Sequence, residues 1–229
     1  MTMDLDQASG TTTAFYTLHS CDGDVALEIA QILNQPGDEQ MNSWQDMIKQ
    51  NPTLRQRLTE QGIIHPSDLS SITWDSAMLL FLCSINIDQE GKPMVIGENL
   101  KRERFGRFPF GDGSLVSYLT DYLRPNTQVK NSNQIFSRLI ELLQKLSSFN
   151  ETNDYTSPRF SGGKGGMNIL GFLNLTEVTE LKRLISGRNW SVASDEPLDG
   201  GVRDAIKHLL AMLKAAERID SGVIYRAHW

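Results

Sequence analysis

Apolar residues along positions 25–33 recur as Val25, Ile29, Ile32 and Leu33, at i, i+4, i+7 and i+8. That spacing is the buried stripe of an amphipathic helix, with Asp22 or Asp24 placed to cap its start and Pro36-Gly37 to end it. The same period returns in "SLVSYLTDYLRP" through Leu115, Tyr118, Leu119, Tyr122 and Leu123, which stops before Pro125. It is most regular in "NSNQIFSRLIELLQKLSSF", where Ile135, Leu139, Leu142, Leu143 and Leu146 form one stripe. Asn174 and Glu177 make an Asn-x-x-Glu cap ahead of Val178, Leu181, Leu184 and Ile185, with Gly187 as the stop. Asp199 opens a further helix carrying Ile206, Leu209, Leu210 and Leu213. Two shorter helices are expected near Ser43–Asp46, ahead of Met47 and Ile48, and from Asn51-Pro52 through Leu54 and Leu58 to Gly62.

Strand patterns are fewer. "AFYTLHS" (Ala14–Ser20) is rich in aromatic and β-favouring types. At the other end Val223, Tyr225, Ala227 and Trp229 alternate with Ile224, Arg226 and His228, the pattern of a half-buried strand that pairs with the first strand or with a hairpin. The run "AMLLFLC" (Ala77–Cys83) fits a buried helix or strand by periodicity. Its setting favours a helix over Asp75–Leu82, then a strand over Ser84–Asp88, a "QEGK" turn and a return strand in "PMVIG". The expected class is α+β, helix-rich, with a small mixed sheet made of the N-terminal strand, the central hairpin and the C-terminal strand. Residues 1–12 read as a polar, mobile leader. Residues 13–229 read as one globular domain, its lobes 13–149 and 167–229 joined by a flexible loop at 150–166.

Composition narrows the function classes. The 229 residues carry a net charge of −6, with a pI near 5.2, which argues against a general binder of nucleic acid or anionic membrane. Two cysteines, Cys21 and Cys83, are too few for a disulfide framework, and the first residues hold no apolar signal core, so the chain reads as cytoplasmic. Ala77–Cys83 falls far short of the ~18 apolar residues of a membrane span.

Three segments carry candidate chemistry. "SPRFSGGKGGMN" clusters glycines around Lys164, but Gly165 follows the lysine where a P-loop needs a hydroxyl, and no strand precedes it. What survives is a weak anion nest of Lys164 and Arg159, or a plain mobile turn. In "HSCDGD" a strand runs into a helix, and Cys21 with His19 forms a nucleophile–base candidate. Asp22 and Asp24 oppose it by raising the thiol pKa, and a buried cysteine in a capped turn explains the same residues. In "KRERFGRFPFGDG" Lys101, Arg102, Arg104 and Arg107 interleave with Phe105, Phe108 and Phe110, a mixture suited to a protein partner or to single-stranded nucleic acid, or to a loop plugged into the core. The acidic balance favours the protein partner over nucleic acid.

No HExxH, CxxC or Gly-x-Ser-x-Gly pattern is present, and no motif calls for a metal or a cofactor. The expectation is therefore a non-catalytic protein-interaction module, a regulator, adaptor or immunity-type inhibitor whose partner is another protein and not a nucleic acid or a membrane. The alternative is a small enzyme built on Cys21 and His19, with the Gly162–Gly166 loop as its anion contact or lid. No pattern speaks to the oligomeric state.

Overall fold

The computed structural model describes residues 15–96, 107–129, 132–149, 160 and 166–228. Its centre is a sheet in the order β1–β5–β3, with β1 at Phe15–Cys21, β3 at Asn168–Leu173 and β5 at Gly222–His228. β5 runs antiparallel to both neighbours, in register from Phe15↔His228 to Cys21↔Gly222 on one side and from Asn168↔Ala227 to Leu173↔Val223 on the other. The α+β class is as the patterning predicts. The sheet is antiparallel throughout its described pairings, not mixed, because β5 opposes both flanking strands.

The predicted hairpin lies along the outer edge of β1. Met94 N–H donates to Asn86 O at 2.9 Å within the hairpin, and Gly91 turns it with a φ of +76°. Ser20 N–H donates to Met94 O and Ile96 N–H to Leu18 O, at 2.9 and 2.8 Å, which attaches the hairpin to β1. The hairpin therefore covers an edge that would otherwise present unpaired backbone groups. The C-terminal strand sits in the middle of the sheet, where Val223, Ile224 and Tyr225 are all fully buried, a deeper position than its alternation suggests.

Strand alternation divides the interior in two. Tyr16 and Leu18 of β1 with Val223, Tyr225 and Ala227 of β5 enter one core. The helices of that core are α5 (Leu115–Tyr122), α6 (Ser132–Ser147), α7 (Leu175–Ser186) and α8 (Gly201–Arg218). Cys21, Ile169, Phe172 and Ile224 enter the other, with α1 (Gly23–Leu33), α2 (Gly37–Gln50), α3 (Pro52–Glu60) and α4 (Ser76–Ser84). The sheet thus lies between two helical layers. A register shift between Ile169 and Gly171 lets Ile169 and Phe172, three residues apart, share one face. Gly171 is required there: a Cβ would overlap the carbonyl oxygens of Lys145 and Leu146 at the end of α6.

Several helix ends follow the predicted chemistry. Asp22 accepts from Asp24 N–H and Val25 N–H at the start of α1, Asn51 caps α3, and Asn174 with Glu177 closes a capping box on α7. α4 ends at Ser84, where Arg57 Nη1 donates to the carbonyls of Leu82, Cys83 and Ile85, the last at 2.8 Å. A cation at the negative end of the helix satisfies acceptors that have no partner within it. Ion pairs then join the helices of the first core: Arg138 to Glu180 at 2.7 Å, Lys145 to Glu177 at 2.5 Å, and Lys182 to Glu217.

Three boundaries depart from expectation. α2 begins at Gly37 and runs for 14 residues, so Pro36-Gly37 joins two helices instead of opening a loop, and no new helix starts at Ser43. α8 begins at Gly201, with Gly200 at a φ of +79° and the Glu196 carboxylate, not Asp199, accepting from Val202 N–H at 2.5 Å. β3, within "MNILGFLNL", and a two-stranded ribbon of β2 (Leu123–Pro125) with β4 (Trp190–Val192) had no predicted counterpart. Among the described residues no helix is long and apolar enough to cross a membrane.

Candidate functional site

Two places gather functional side chains. The first is the polar end of one sheet face. Phe15, Thr17, His19 and Cys21 alternate onto it from β1, and His228, Arg226 and Ile224 meet Phe15, Thr17 and His19 in register from β5. Thr17 Oγ1 lies 2.9 Å from His19 Nε2 and 2.8 Å from His228 Nε2. A hydroxyl has one proton, so at most one of the two rings can accept from it, and a ring that does not must donate Nε2–H to it. The tautomers of the two histidines are therefore linked through Thr17.

Phe81 of α4 covers this patch. His19 meets its ring edge-on at a centroid distance of 5.2 Å, and the Arg226 guanidinium lies 4.4 Å from the ring centre. Burial and the positive charge of Arg226, with a smaller contribution from His228, hold His19 down at about 3. Burial and Arg226 also lower His228. Both rings are thus neutral at ordinary pH. Arg226 itself is half-buried, and neither its Nε nor His19 Nδ1 has a hydrogen-bond partner among the described residues.

Cys21 lies on the same face as His19, as alternation predicts, but the nucleophile–base pairing does not follow. Its thiol is completely buried, and burial, with Asp22 and Asp24 beside it, pushes its pKa strongly upward. His19 spends Nε2 on Thr17 and is too weak a base at about 3 to take a thiol proton near neutrality. Among the described residues no group of histidine, cysteine and carboxylate side chains could hold a metal ion.

The second place is a groove of about 440 Å³ between residues 107–109 and the first turns of α8. Phe108, Leu115 and Leu198 form its apolar lining, with Arg107, Asp204 and Lys207 among its charged groups. The loop that shapes it is tight. Phe108 N–H donates to Gly113 O at 2.8 Å, Gly113 N–H to Phe110 O at 3.0 Å, and Gly111 and Gly113 take φ values of +56° and +87°. Such backbone favours glycine, which explains "FGDG". Ser114 then caps α5 and reaches the buried Tyr225 hydroxyl at 3.1 Å.

The loop turns its aromatics in different directions. Phe108 is buried against Tyr118 at a centroid distance of 4.6 Å, whereas Phe110 stays 36% exposed while touching Tyr118 and Tyr122 edge-on. Arg107 is exposed. Of the basic-aromatic candidates, the structure thus places Arg107 and Phe108 at the groove, whereas Arg102, Arg104 and Phe105 lie outside the described residues. Arg159, Lys164 and Gly162–Gly165 lie outside them as well.

Sequence reasoning did not single out Thr17, Arg226 or His228. The signal was present in the alternation of the two terminal strands, but joining them needed the β1–β5 register. Lys207 was missed because the groove forms from segments about 90 residues apart in the chain. No known family, curated protein or solved structure matches the chain.

Proposed function

We propose that this chain is a non-catalytic protein-interaction module, a regulator, adaptor or inhibitor that binds another protein through the groove between residues 107–110 and α8. The observation that carries the reading is the combination at that groove of a firmly held apolar lining with an exposed charged rim. Phe108, Leu115 and Leu198 offer a pocket for an apolar anchor, and the exposed Arg107 and Lys207 flank it. Phe110 extends the surface with a partly exposed ring supported by Tyr118 and Tyr122. Rigid aromatic side chains and arginine are the types that concentrate binding energy at protein interfaces. Arg102, Arg104 and Phe105 carry the same residue types just before Arg107 in the sequence.

The net charge of −6 steers a basic partner toward the molecule, and the mixed rim of Arg107 and Lys207 with Asp199 and Asp204 offers charge pairs that fix its orientation at the groove. The buried, protonated thiol of Cys21 supports a binding role over nucleophilic catalysis. The test is affinity capture with the wild-type chain, followed by reconstitution with the purified partner. An Arg107→Glu/Lys207→Glu variant is expected to weaken that purified complex by roughly tenfold or more. Equal affinity of both proteins for the partner overturns the assignment of the groove.

A further inference from the structure

Arg226 occupies a place where an arginine ordinarily has an anion. It stands in the central strand of the sheet, half-buried, and burial lowers its pKa. Among the described residues no carboxylate pairs with it. Its Nε is buried without a hydrogen-bond partner among those residues. The described groups around it do not cancel the charge, since Thr17, His19 and His228 are neutral and Phe81 offers only its ring face. A cation–π contact of this kind returns less than desolvating an unpaired ion costs.

The hydrogen-bond arithmetic adds a second donor. When His19 Nε2 donates to Thr17, the Thr17 proton is free to go to His228 Nε2, and in that arrangement His228 carries its own proton on Nδ1. His228 is partly exposed at the end of β5, beside Phe15, which is 47% exposed. Arg226 and His228 thus lie on one sheet face, with His228 at the margin that faces solvent. Phe81 lies against the guanidinium at 4.4 Å, and Phe15 lies 5.0 Å from the His228 ring.

The geometry points to an oxyanion-binding site at this end of the sheet, in which Arg226 and His228 donate to a phosphate or carboxylate group and Thr17 sets the His228 tautomer. A planar guanidinium matches either group with paired N–H bonds, and charge-assisted bonds of this type are among the strongest a side chain makes. The site is separate from the groove at residues 107–110 and stands or falls without it. Its ligand presents the anionic group at the His228 end of this face, where the 47% exposed ring of Phe15 is available to an apolar body beside it.

The experiment is an NMR titration of the full chain, observing the ring nitrogens of His19 and His228 and the Nε of Arg226. Inorganic phosphate, phenyl phosphate and benzoate are added separately at constant ionic strength in chloride. Saturable shifts confined to these three side chains are expected with phosphate and phenyl phosphate, or with benzoate, and the arm that binds more tightly names the class. Bound anion also moves the His228 titration midpoint upward, against the burial and the Arg226 charge that hold it down. Arg226→Gln is expected to weaken binding by roughly tenfold or more, and Arg226→Lys, which keeps the charge but not the fork, by less. The absence of saturation with every probe, or shifts centred elsewhere on the wild-type chain, overturns the proposal whether or not the variants fold. Unchanged affinity in a folded Arg226→Gln protein does the same.

Discussion

The hydroxyl of Thr17 holds Nε2 of His19 at 2.9 Å, so the imidazole bonds to a neighbour in its own strand and sits with its ring almost completely buried. That relationship makes His19 a source of acid sensitivity. Its folded pKa is about 3, pushed down by burial and by Arg226, against about 6.5 in an unfolded chain. Between those values the unfolded chain binds a proton that the folded chain does not, so stability falls as pH drops through this window.

By about pH 4.5 the loss from His19 is on the order of 2 kcal/mol relative to neutral pH. His19→Gln, which keeps a partner for Thr17, is expected to show a correspondingly flatter dependence of urea-unfolding free energy between about pH 6.5 and 4.5. His228 is lowered in the same direction and is common to both proteins, so it does not enter the difference. Equal slopes for wild type and variant would refute the burial argument.

Both thiols are expected to be inert in the native state. Cys21 is fully buried with its pKa pushed strongly upward, and burial raises Cys83 to about 12 despite the opposing effect of Arg57. Alkylation by iodoacetamide at about pH 8 should therefore proceed only as fast as the protein opens, and become rapid in denaturant. Fast native labelling of Cys21 would instead reinstate it as a reactive group.

Gly171→Ala is expected to abolish folding or cost several kcal/mol, measured by thermal unfolding, because the added methyl meets backbone at Lys145 and Leu146 and not a movable side chain. Gly62→Ala makes a useful contrast: its φ of +88° is strained but nothing lies within 4 Å of the new Cβ. A cost of about 1 kcal/mol is expected there. Similar costs at the two glycines would contradict the close approach of β3 to α6.

Local signals in the sequence were read well where one stretch of chain carries the whole message. Asp22 ahead of the Val25–Leu33 stripe, Asn51-Pro52, and Asn174 with Glu177 each specify a helix start through side-chain and backbone groups within a few residues. The helix of Ala77–Cys83 and the hairpin after it were also legible, since Asp75 caps the first and Gly91 turns the second. β3 was not, because "NILGFL" is apolar on both faces once it lies beside β5, and a two-sided apolar run has no alternation to read. The polar cluster depended on pairing residues about 200 positions apart. Register of that kind is set by tertiary packing and has no local signature.

The central claim, that the chain binds a protein partner at the groove beside α8, is tested most directly by site-specific photo-crosslinking in the native host. A photoreactive residue is placed in turn at Arg107, at Lys207, and at Glu28, which is exposed on α1 in the opposite helical layer. The account predicts that positions 107 and 207 trap the same protein and that position 28 does not. Adducts to one protein from position 28 alone, or none from 107 and 207, would contradict it.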